Sequence, residues 1–257
     1  MTEAAEGREL RFPGRGAARV FPDAAAVARA AAERFAAAAR AAAEARGVFR
    51  AALAGGSTPR AAYALLAEEP LRSAVPWERV HLFWGDERCV PPGHPRSNFR
   101  MAREALLDRV PLPPENVHRV RGELPPAEAA AGYARALAAV FGGGMPRFDL
   151  LHLGVGGDAH TASLFPFAPA LRERAAPVAR ALHPVDHEPR VTLTPPALSA
   201  AARVELLAVG ADKACVVRAV LRGPLDPFRL PAQLVRPASG EPVWLLDEAA
   251  ARLLEEP

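Results

Sequence analysis

Short apolar segments alternate with longer helix-forming segments along most of this chain. The predicted strands are VFRAALA (48–54), VHLFW (80–84), NVHRV (116–120), FDLLHLG (148–154), RVTLT (190–194), RVELLAVG (203–210) and VWLLD (243–247). Predicted helices lie between them at 59–68, 98–109, 127–141 and 212–221. Strands separated by helices are typical of parallel sheets, because a parallel connection needs a long crossover. The pattern therefore predicts an α/β fold with three-layer αβα, Rossmann-like architecture, in which helices flank a mainly parallel sheet.

An alanine-rich stretch at residues 23–46 predicts one long helix before the first of these strands. Asp23 is a suitable N-cap for this helix, and Gly47 is suited to end it. The best internal linker is the short glycine run at 142–144, and no internal repeat is present. We therefore expect a single domain over residues 1–257.

Composition argues against several classes of protein. Half of the 257 residues are apolar, yet no apolar run approaches the roughly 20 residues that a membrane-spanning helix needs. The polar, acidic start of the chain lacks the pattern of a secretion signal, so we expect a cytoplasmic protein without a membrane partner. The net charge is +3, but the arginines are scattered among glutamates, which argues against a nucleic-acid partner. Cys89 and Cys215 are the only cysteines, and they predict free thiols.

A glycine-rich segment, AGGSTP (54–59), follows a predicted strand and opens a predicted helix. Glycines let a ligand approach the main chain closely, and amides at a helix N-terminus attract anions such as phosphate. Thr58 is the predicted helix cap and Pro59 the predicted first helical residue. Because proline replaces the last glycine of a G-x-S-x-G elbow, a serine hydrolase is disfavoured. A purely structural turn remains an alternative for these candidate phosphate-binding residues: Gly55, Gly56, Ser57 and Thr58.

A polar loop with the sequence DAHTASLFP (158–166) follows the predicted strand at 148–154. His160 can take and return a proton near neutral pH, and Asp158 can orient it or share the proton. The alternative is a histidine that is hydrogen-bonded within its loop for structural reasons. The other six histidines have no metal-ligand spacing and H-E-x-x-H is absent, so we predict no metal.

Two further segments place charged residues at predicted strand ends. Asp86 and Arg88 follow the strand at 80–84, where an ordinary surface ion pair is the alternative explanation. Lys213, the only lysine, is predicted in the first turn of a helix. The helix dipole disfavours a cation there unless an anion is bound nearby. Arg190, at the start of RVTLT, is a second candidate ligand for that anion.

Together these segments resemble the 6-phosphogluconolactonase family. The matching strings are AGGSTPRAAY (54–63), WGDERCVPPGHPRSN (84–98), LGVGGDAHTASLFP (153–166), RVTLT (190–194) and GADKA (210–214). They occur in the family's order and nearly its spacing, and the resemblance covers the chain from about residue 20 onward. One departure is Ala159, where the family usually has glycine, which puts the local backbone in question because glycine permits conformations that alanine resists.

The resemblance implies a fold shared with glucosamine-6-phosphate deaminases and ribose-5-phosphate isomerases. It also implies hydrolysis of 6-phospho-D-glucono-1,5-lactone in the oxidative pentose phosphate pathway, without a cofactor. Carried over by motif, His160 becomes the general acid/base, with Asp158 or Asp86 left open as its helper. Arg88 and Lys213 become ligands of the substrate phosphate or carboxylate, Asp86 is placed among the substrate-binding residues, and Arg190 and residues 55–58 become further phosphate-side contacts.

The mechanism we expect is direct attack of water on the lactone carbonyl, with a phosphorylated sugar lactone as partner and a monomer or weak dimer as the assembly. A glucosamine-6-phosphate deaminase is one alternative, but that family usually carries F-N-E-P where this chain has TASLFP (161–166). A non-catalytic sugar-phosphate sensor is the other. Regulators of that kind need a DNA-binding segment, and the first 20 residues are too short for a helix-turn-helix.

Overall fold

The structure is a computed structural model, and it describes residues 7–237 and 239–254. Its strands, numbered β1 to β10 along the chain, are Arg8–Phe12, Gly16–Phe21, Phe49–Leu53, Val80–Trp84, Asp86–Arg88, Leu150–Gly154, Val178–Leu182, Pro189–Leu193, Val204–Ala208 and Val243–Asp247. Its helices, numbered α1 to α8, are Ala24–Arg46, Ser57–Leu66, Leu71–Ala74, Asn98–Ala105, Pro126–Phe141, Pro195–Ser199, Ala214–Arg222 and Glu248–Ala251.

The main sheet is mostly parallel. Within the described residues it has seven strands in the order β1-β2-β10-β9-β6-β3-β4. Every neighbouring pair from β2 to β4 runs parallel, and β1 alone pairs antiparallel with β2 at the edge. Because these strands run parallel, the carboxyl ends of β3, β4, β6 and β9 reach the same edge of this sheet. The predicted α/β class with a mainly parallel sheet is confirmed.

Helices cover both faces of the main sheet, as the strand burial pattern requires. In β10, Trp244 and Leu246 pack into one hydrophobic cluster, while Leu245 packs into the other. The first cluster includes residues of α5 and α7, and the second includes residues of α1, α2 and α4. Alternate residues of a strand face opposite sides, so the two clusters are the two cores of a three-layer αβα arrangement.

The long first helix agrees with its prediction. Helix α1 runs from Ala24 to Arg46, and the carboxylate of Asp23 accepts a hydrogen bond from Ala26 N at 2.8 Å. Gly47 ends the helix with φ +73°, a left-handed conformation that glycine adopts without steric penalty.

Several predicted strands are placed differently by the structure. RVTLT does form a strand, β8, but it belongs to a second, antiparallel sheet in the order β5-β8-β7. NVHRV begins with the last residue of a 3₁₀ turn, Asn116, makes a single bridge from Val117 to Leu82, and is irregular from 118 to 120. The edge hairpin β1–β2, and strands β5 and β7, were not predicted. These strands pair in antiparallel fashion or with strands far away in the sequence. An alternation of strands and helices along the chain predicts neither kind of pairing.

Several predicted helices have different bounds; the one expected at 59–68, for example, is Ser57–Leu66. The helix expected at 98–109 ends at Ala105 and is followed by a 3₁₀ turn at Leu107–Arg109. The helix expected from residue 212 begins at Ala214. Lys213 therefore closes a 3₁₀ turn, Ala211–Lys213, in front of α7 and does not lie in the first turn of the helix.

Among the helices formed by the described residues, none is both long and apolar enough to cross a membrane.

Candidate active site

A cleft of about 520 Å³ lies at the edge of the main sheet where β3, β4, β6 and β9 end. Ligands in open α/β sheets bind at this carboxyl edge of the strands. Segments that are far apart in the sequence meet here. The predicted site residues that line the cleft are Gly55, Gly56, Ser57, Thr58, Asp86, Arg88, His160, Arg190 and Lys213.

The remaining predicted residue, Asp158, contacts His160. The Oδ1 atom of Asp158 lies 2.6 Å from His160 Nδ1 and also accepts the main-chain N–H of His160 at 3.1 Å. Partial burial raises the pKa of Asp158, but its hydrogen bonds and its attraction to His160 outweigh burial and hold the pKa below its usual value. An ionised carboxylate only accepts hydrogen bonds, so in the neutral ring Nδ1 donates and Nε2 can accept a proton.

The loop that carries this pair is tightly built. A Cβ at Gly156 would lie 2.1 Å from His160 Nδ1, so only glycine fits beside the ring. The N–H of Gly156 donates to the carbonyl of His160 at 2.8 Å, which closes the loop. Ala159 has φ +67° and is 0% exposed. The alanine therefore adopts the left-handed conformation that the usual glycine permits, at a steric penalty of about 1 kcal/mol.

The glycine-rich segment forms the turn between β3 and α2. Gly56, with φ +108°, occupies the cap position of α2, and the helix begins at Ser57. The predictions that Thr58 caps the helix and that Pro59 opens it are therefore wrong, because the positive φ of Gly56 lets the helix begin earlier. The main-chain amides of Ser57 and Thr58 lie in the first helical turn, where the macrodipole favours an anion.

Asp86 joins three segments of the cleft. Its Oδ2 atom accepts a hydrogen bond from Ser163 Oγ at 2.7 Å, and Asn98 Nδ2 donates to its main-chain oxygen at 2.9 Å. Asn98 also packs tightly against Gly55, where a Cβ would lie 2.1 Å from Asn98 Oδ1. Asp86 is 8% exposed, and these contacts tie it into the wall of the cleft.

Glu87 is a buried carboxylate that fixes the start of α4. It accepts hydrogen bonds from Ser97 Oγ at 3.0 Å and from the amides of Asn98 at 2.8 Å and Phe99 at 2.7 Å. Burial raises the pKa of Glu87 and Asp86 adds to the effect, against these stabilising amides. The alternative of a surface ion pair is wrong for Asp86 and Glu87. Both carboxylates are buried, and both accept hydrogen bonds from neutral donors.

Arg88 and Arg190 lie opposite each other on the antiparallel strands β5 and β8. Arg88 Nη1 donates to the carbonyl of Arg96 at 2.5 Å, and Arg190 Nη2 donates to Glu188 at 3.1 Å. The Nε atoms of both are buried without a hydrogen-bond partner in the described part of the chain. Burial and the charge of Arg88 lower the pKa of Arg190. Neighbouring guanidinium groups with unsatisfied donors are suited to an anion.

Lys213 lies on the other side of the cleft, after β9. Its Nζ atom is 3.7 Å from Asp212 Oδ2, and its side chain is 27% exposed. The preceding turn is held by Gly210, whose N–H donates to both carboxylate oxygens of Asp247 at 3.0 Å. The side chain of Asp212 is 76% exposed, so Lys213 can exchange this ion pair for a ligand.

Three contributors to the site were not singled out from the sequence: Glu87, Asn98 and Ser163. All three lie inside the motif strings, and their side chains are hydrogen-bonded to neighbouring segments of the chain. Only the fold reveals those partners. In the part of the chain that the structure describes, no group of three or more His, Cys, Asp or Glu side chains is arranged to hold a metal ion.

Comparison with known proteins gives consistent matches. The family described as glucosamine-6-phosphate isomerases/6-phosphogluconolactonase matches residues 22–244. The chain is 40% identical over 237 residues to the 6-phosphogluconolactonase of Nostoc sp., covering 90% of this chain and 95% of that one. It is 43% identical over 224 residues to the 6-phosphogluconolactonase of Homo sapiens, covering 83% of each. The solved structure of the Trypanosoma cruzi 6-phosphogluconolactonase matches with TM-score 0.83 and 29% identity, covering 96% of this chain and 99% of that one.

Proposed function

The chain belongs to the glucosamine-6-phosphate isomerase/6-phosphogluconolactonase family, and we propose that it hydrolyses 6-phospho-D-glucono-1,5-lactone to 6-phosphogluconate in the oxidative pentose phosphate pathway. The observation that carries this proposal is that His160, held by Asp158, lines the same cleft as Arg88, Arg190 and Lys213. A proton-transfer group facing a set of cations matches a phosphorylated substrate whose reactive carbonyl lies away from its phosphate.

The first step is attack of water on the lactone carbonyl carbon. His160 removes a proton from the attacking water through Nε2, while Nδ1–H stays bound to Asp158. The new C–O bond pushes the carbonyl electrons onto oxygen, and an arginine or a main-chain amide of the cleft stabilises the oxyanion. General base help of this kind contributes about 10²–10⁴-fold to the rate.

The second step is collapse of the tetrahedral intermediate. The oxyanion re-forms the carbonyl, the bond to the ring oxygen breaks, and protonated His160 gives its proton to that oxygen. The product is the open-chain acid, and His160 returns to its neutral state. One residue serves as base and then as acid, so no covalent intermediate and no metal-bound water is needed.

The cations serve to position the substrate. The phosphate or carboxylate group of the ligand is bound by Arg88, Arg190 and Lys213, with the amides of residues 55–58 as further donors. Two features support this role: Arg88 and Arg190 line the cleft side by side, and helix α2 begins at Ser57. Binding the far end of the substrate holds its carbonyl near His160, which replaces an encounter in solution by a fixed geometry.

The test is a hydrolysis assay with the purified protein. Because the lactone also hydrolyses in water, acid release is followed at constant pH against a sample without protein and a sample of His160→Ala. We expect rapid hydrolysis that a chelator leaves unchanged. Ammonia release from glucosamine 6-phosphate is measured in parallel. A protein that releases ammonia and leaves the lactone at its spontaneous rate would be a deaminase, and the proposal would be wrong.

The alternatives considered from the sequence are less well supported. The relatives at 40% and 43% identity carry the name 6-phosphogluconolactonase, and no comparable observation favours a deaminase or a sensor. We further infer a cytoplasmic location, which agrees with a metabolic substrate that is charged and does not cross membranes unaided.

A further inference from the structure

The chain contains two tyrosines, Tyr63 and Tyr133, and they are 0% and 2% exposed. Each hydroxyl is hydrogen-bonded to the main chain at the end of a strand of the main sheet. Burial raises the pKa of both phenols above the ordinary value of 10.0, so both stay protonated at neutral pH. The proposed mechanism uses neither tyrosine.

Tyr63 holds the end of β3. Its hydroxyl oxygen accepts the N–H of Ala54 at 2.9 Å. Ala54 follows β3, lines the cleft and leads directly into residues 55–58. Tyr63 itself lies on α2, the helix that this segment opens. The hydrogen bond therefore links the beginning of the turn between β3 and α2 to the helix that follows it.

Tyr133 holds the end of β4. Its hydroxyl accepts the N–H of Trp84 at 2.9 Å and donates to the carbonyl of the same residue at 2.7 Å. Trp84 is the last residue of β4, and the chain continues through Gly85 into Asp86–Arg88. Both main-chain polar groups of Trp84 are thus engaged by one side chain from α5.

The two hydroxyls act at the same level of the sheet. Strands β3 and β4 are parallel neighbours, and Leu53 lies opposite Trp84 in their register. Tyr63 belongs to the hydrophobic cluster of α1 and α2, whereas Tyr133 belongs to the cluster on the other face. The ends of two adjacent strands are therefore held from opposite faces of the main sheet. Each hydrogen bond lies just before the chain leaves the strand and enters a segment that lines the cleft.

We propose that Tyr63 and Tyr133 are positioning residues whose hydroxyls fix the two strand ends from which the anion-binding segments 55–58 and 86–88 leave. This inference rests on the proposed function of the cleft. The segments carry ligand-binding groups, whereas His160 follows a different strand, β6. Loss of either hydroxyl should therefore weaken substrate binding and leave the chemical step nearly unchanged, because only the binding groups shift.

The test compares Tyr63→Phe and Tyr133→Phe with Thr194→Val. Thr194 is a matched control, because it is 0% exposed and its hydroxyl donates to the carbonyl of Ala176 at 2.6 Å, outside the cleft. We expect each tyrosine variant to raise KM, and the dissociation constant for 6-phosphogluconate, by roughly 3- to 30-fold with kcat within about twofold. The control should leave KM unchanged. A purely structural role lowers the folded fraction and hence the apparent kcat, without moving KM.

The readouts separate the two proposals. If the wild-type protein fails to hydrolyse the lactone, the function is wrong. If it hydrolyses the lactone and both tyrosine variants keep the wild-type KM and affinity, the positioning role is wrong. A second measurement needs no variant: the amides of Ala54 and Trp84 should be protected from hydrogen exchange in the wild type and gain protection with 6-phosphogluconate. Fast exchange at both amides would also overturn the proposal.

Discussion

Two histidines, one in strand β6 and one in the loop that follows it, lie in different surroundings. The inner pair, His152 with Glu205, lies within the sheet between neighbouring strands β6 and β9, and His152 is 1% exposed. The outer pair, His160 with Asp158, lies in the loop after β6, and its imidazole is 29% exposed. Each pair joins a ring nitrogen to a carboxylate. A histidine–carboxylate pair is therefore no indication of catalysis by itself; access to the cleft separates the two.

The inner pair is closed off by its neighbours. The ring of His152 lies near those of Tyr63 and Phe35, with centroids 6.1 and 6.0 Å away. Its Nε2 atom lies 3.4 Å from Glu205 Oε2, without hydrogen-bond geometry, and Glu205 Oε1 accepts a hydrogen bond from Arg34 Nε at 2.6 Å. Burial raises the pKa of Glu205, but His152 and Arg34 outweigh it and hold the pKa low. His152 is therefore enclosed by packed neighbours.

The largest effect should come from removing the imidazole of the outer pair. We expect His160→Ala to lower kcat by about 10²–10⁴-fold, because the base and the acid of the mechanism are lost together. Binding of 6-phosphogluconate, measured by calorimetry, should stay within a few-fold of wild type, since the cations are untouched. If His160→Ala kept near-normal turnover, the outer pair would have no catalytic role that distinguishes it from the inner pair.

The next effect is on stability, at the inner pair. Glu205→Gln keeps the shape of the side chain but removes the charge that Arg34 and His152 face. We expect the free energy of unfolding to fall by about 2–4 kcal/mol, because breaking a buried ion pair leaves its partners uncompensated. Denaturant unfolding measures this, and kcat of the folded protein should change little. A kcat loss as large as that of His160→Ala, without destabilisation, would place the inner pair in the catalytic machinery.

The same chemical change in the outer pair should affect rate and not stability. Asp158→Asn keeps an oxygen for Nδ1–H but loses the negative charge that stabilises protonated His160. We expect kcat to fall by roughly 10- to 100-fold. The free energy of unfolding should change by less than about 1 kcal/mol, because the carboxylate is partly exposed. Kinetics and denaturant unfolding on the two amide variants form a matched comparison, and identical phenotypes would contradict it.

A histidine that pairs with another histidine extends the comparison. His118 Nε2 lies 3.0 Å from His81 Nδ1. Burial, with a further contribution from His81, lowers the pKa of His118 from 6.5 to about 4. The unfolded chain then binds more protons between these two values, so the contribution to stability is present above pH 6.5 and is lost as the pH falls toward 4.

The measurement is the free energy of unfolding of wild type and His118→Gln between pH 7 and pH 4. The wild type should lose about 1–2 kcal/mol more than the variant over this range, a figure already reduced because the ring is partly exposed. A glutamine can hydrogen-bond to His81 but does not titrate. Parallel curves for the two proteins would show that this histidine does not couple folding to protons.

The smallest effect should come from the backbone of the outer pair. Ala159→Gly relieves the left-handed strain at φ +67° but removes a buried methyl group and makes the unfolded chain more flexible. These contributions oppose each other, so the net change should be within about 1 kcal/mol. Thermal unfolding and kcat should both stay near wild type. A large drop in kcat would mean that the methyl group itself holds the loop.

Some local signals in the sequence were sufficient. Asp23 and Gly47 bound α1 as predicted, and β4 has the predicted bounds, 80–84. Sequence patterns did not predict contacts between residues that are far apart in the chain. The pairing of Arg88 with Arg190 across β5 and β8, and of Asp86 with Ser163, depends on contacts between residues dozens of positions apart.

By itself the sequence determined the alternation of strands and helices, the parallel class of the main sheet, and the candidate residues at 55–58, 86–88, 158–160, 190 and 213. These follow from local periodicity, caps and loop chemistry, which each segment carries alone. The tertiary structure decided which histidine faces the cleft, which carboxylates are buried, and that two tyrosine hydroxyls hold neighbouring strand ends. The physical reason is that exposure and hydrogen-bond partnership are properties of packed neighbours, and a segment acquires neighbours only when the sheet and its two layers of helices assemble.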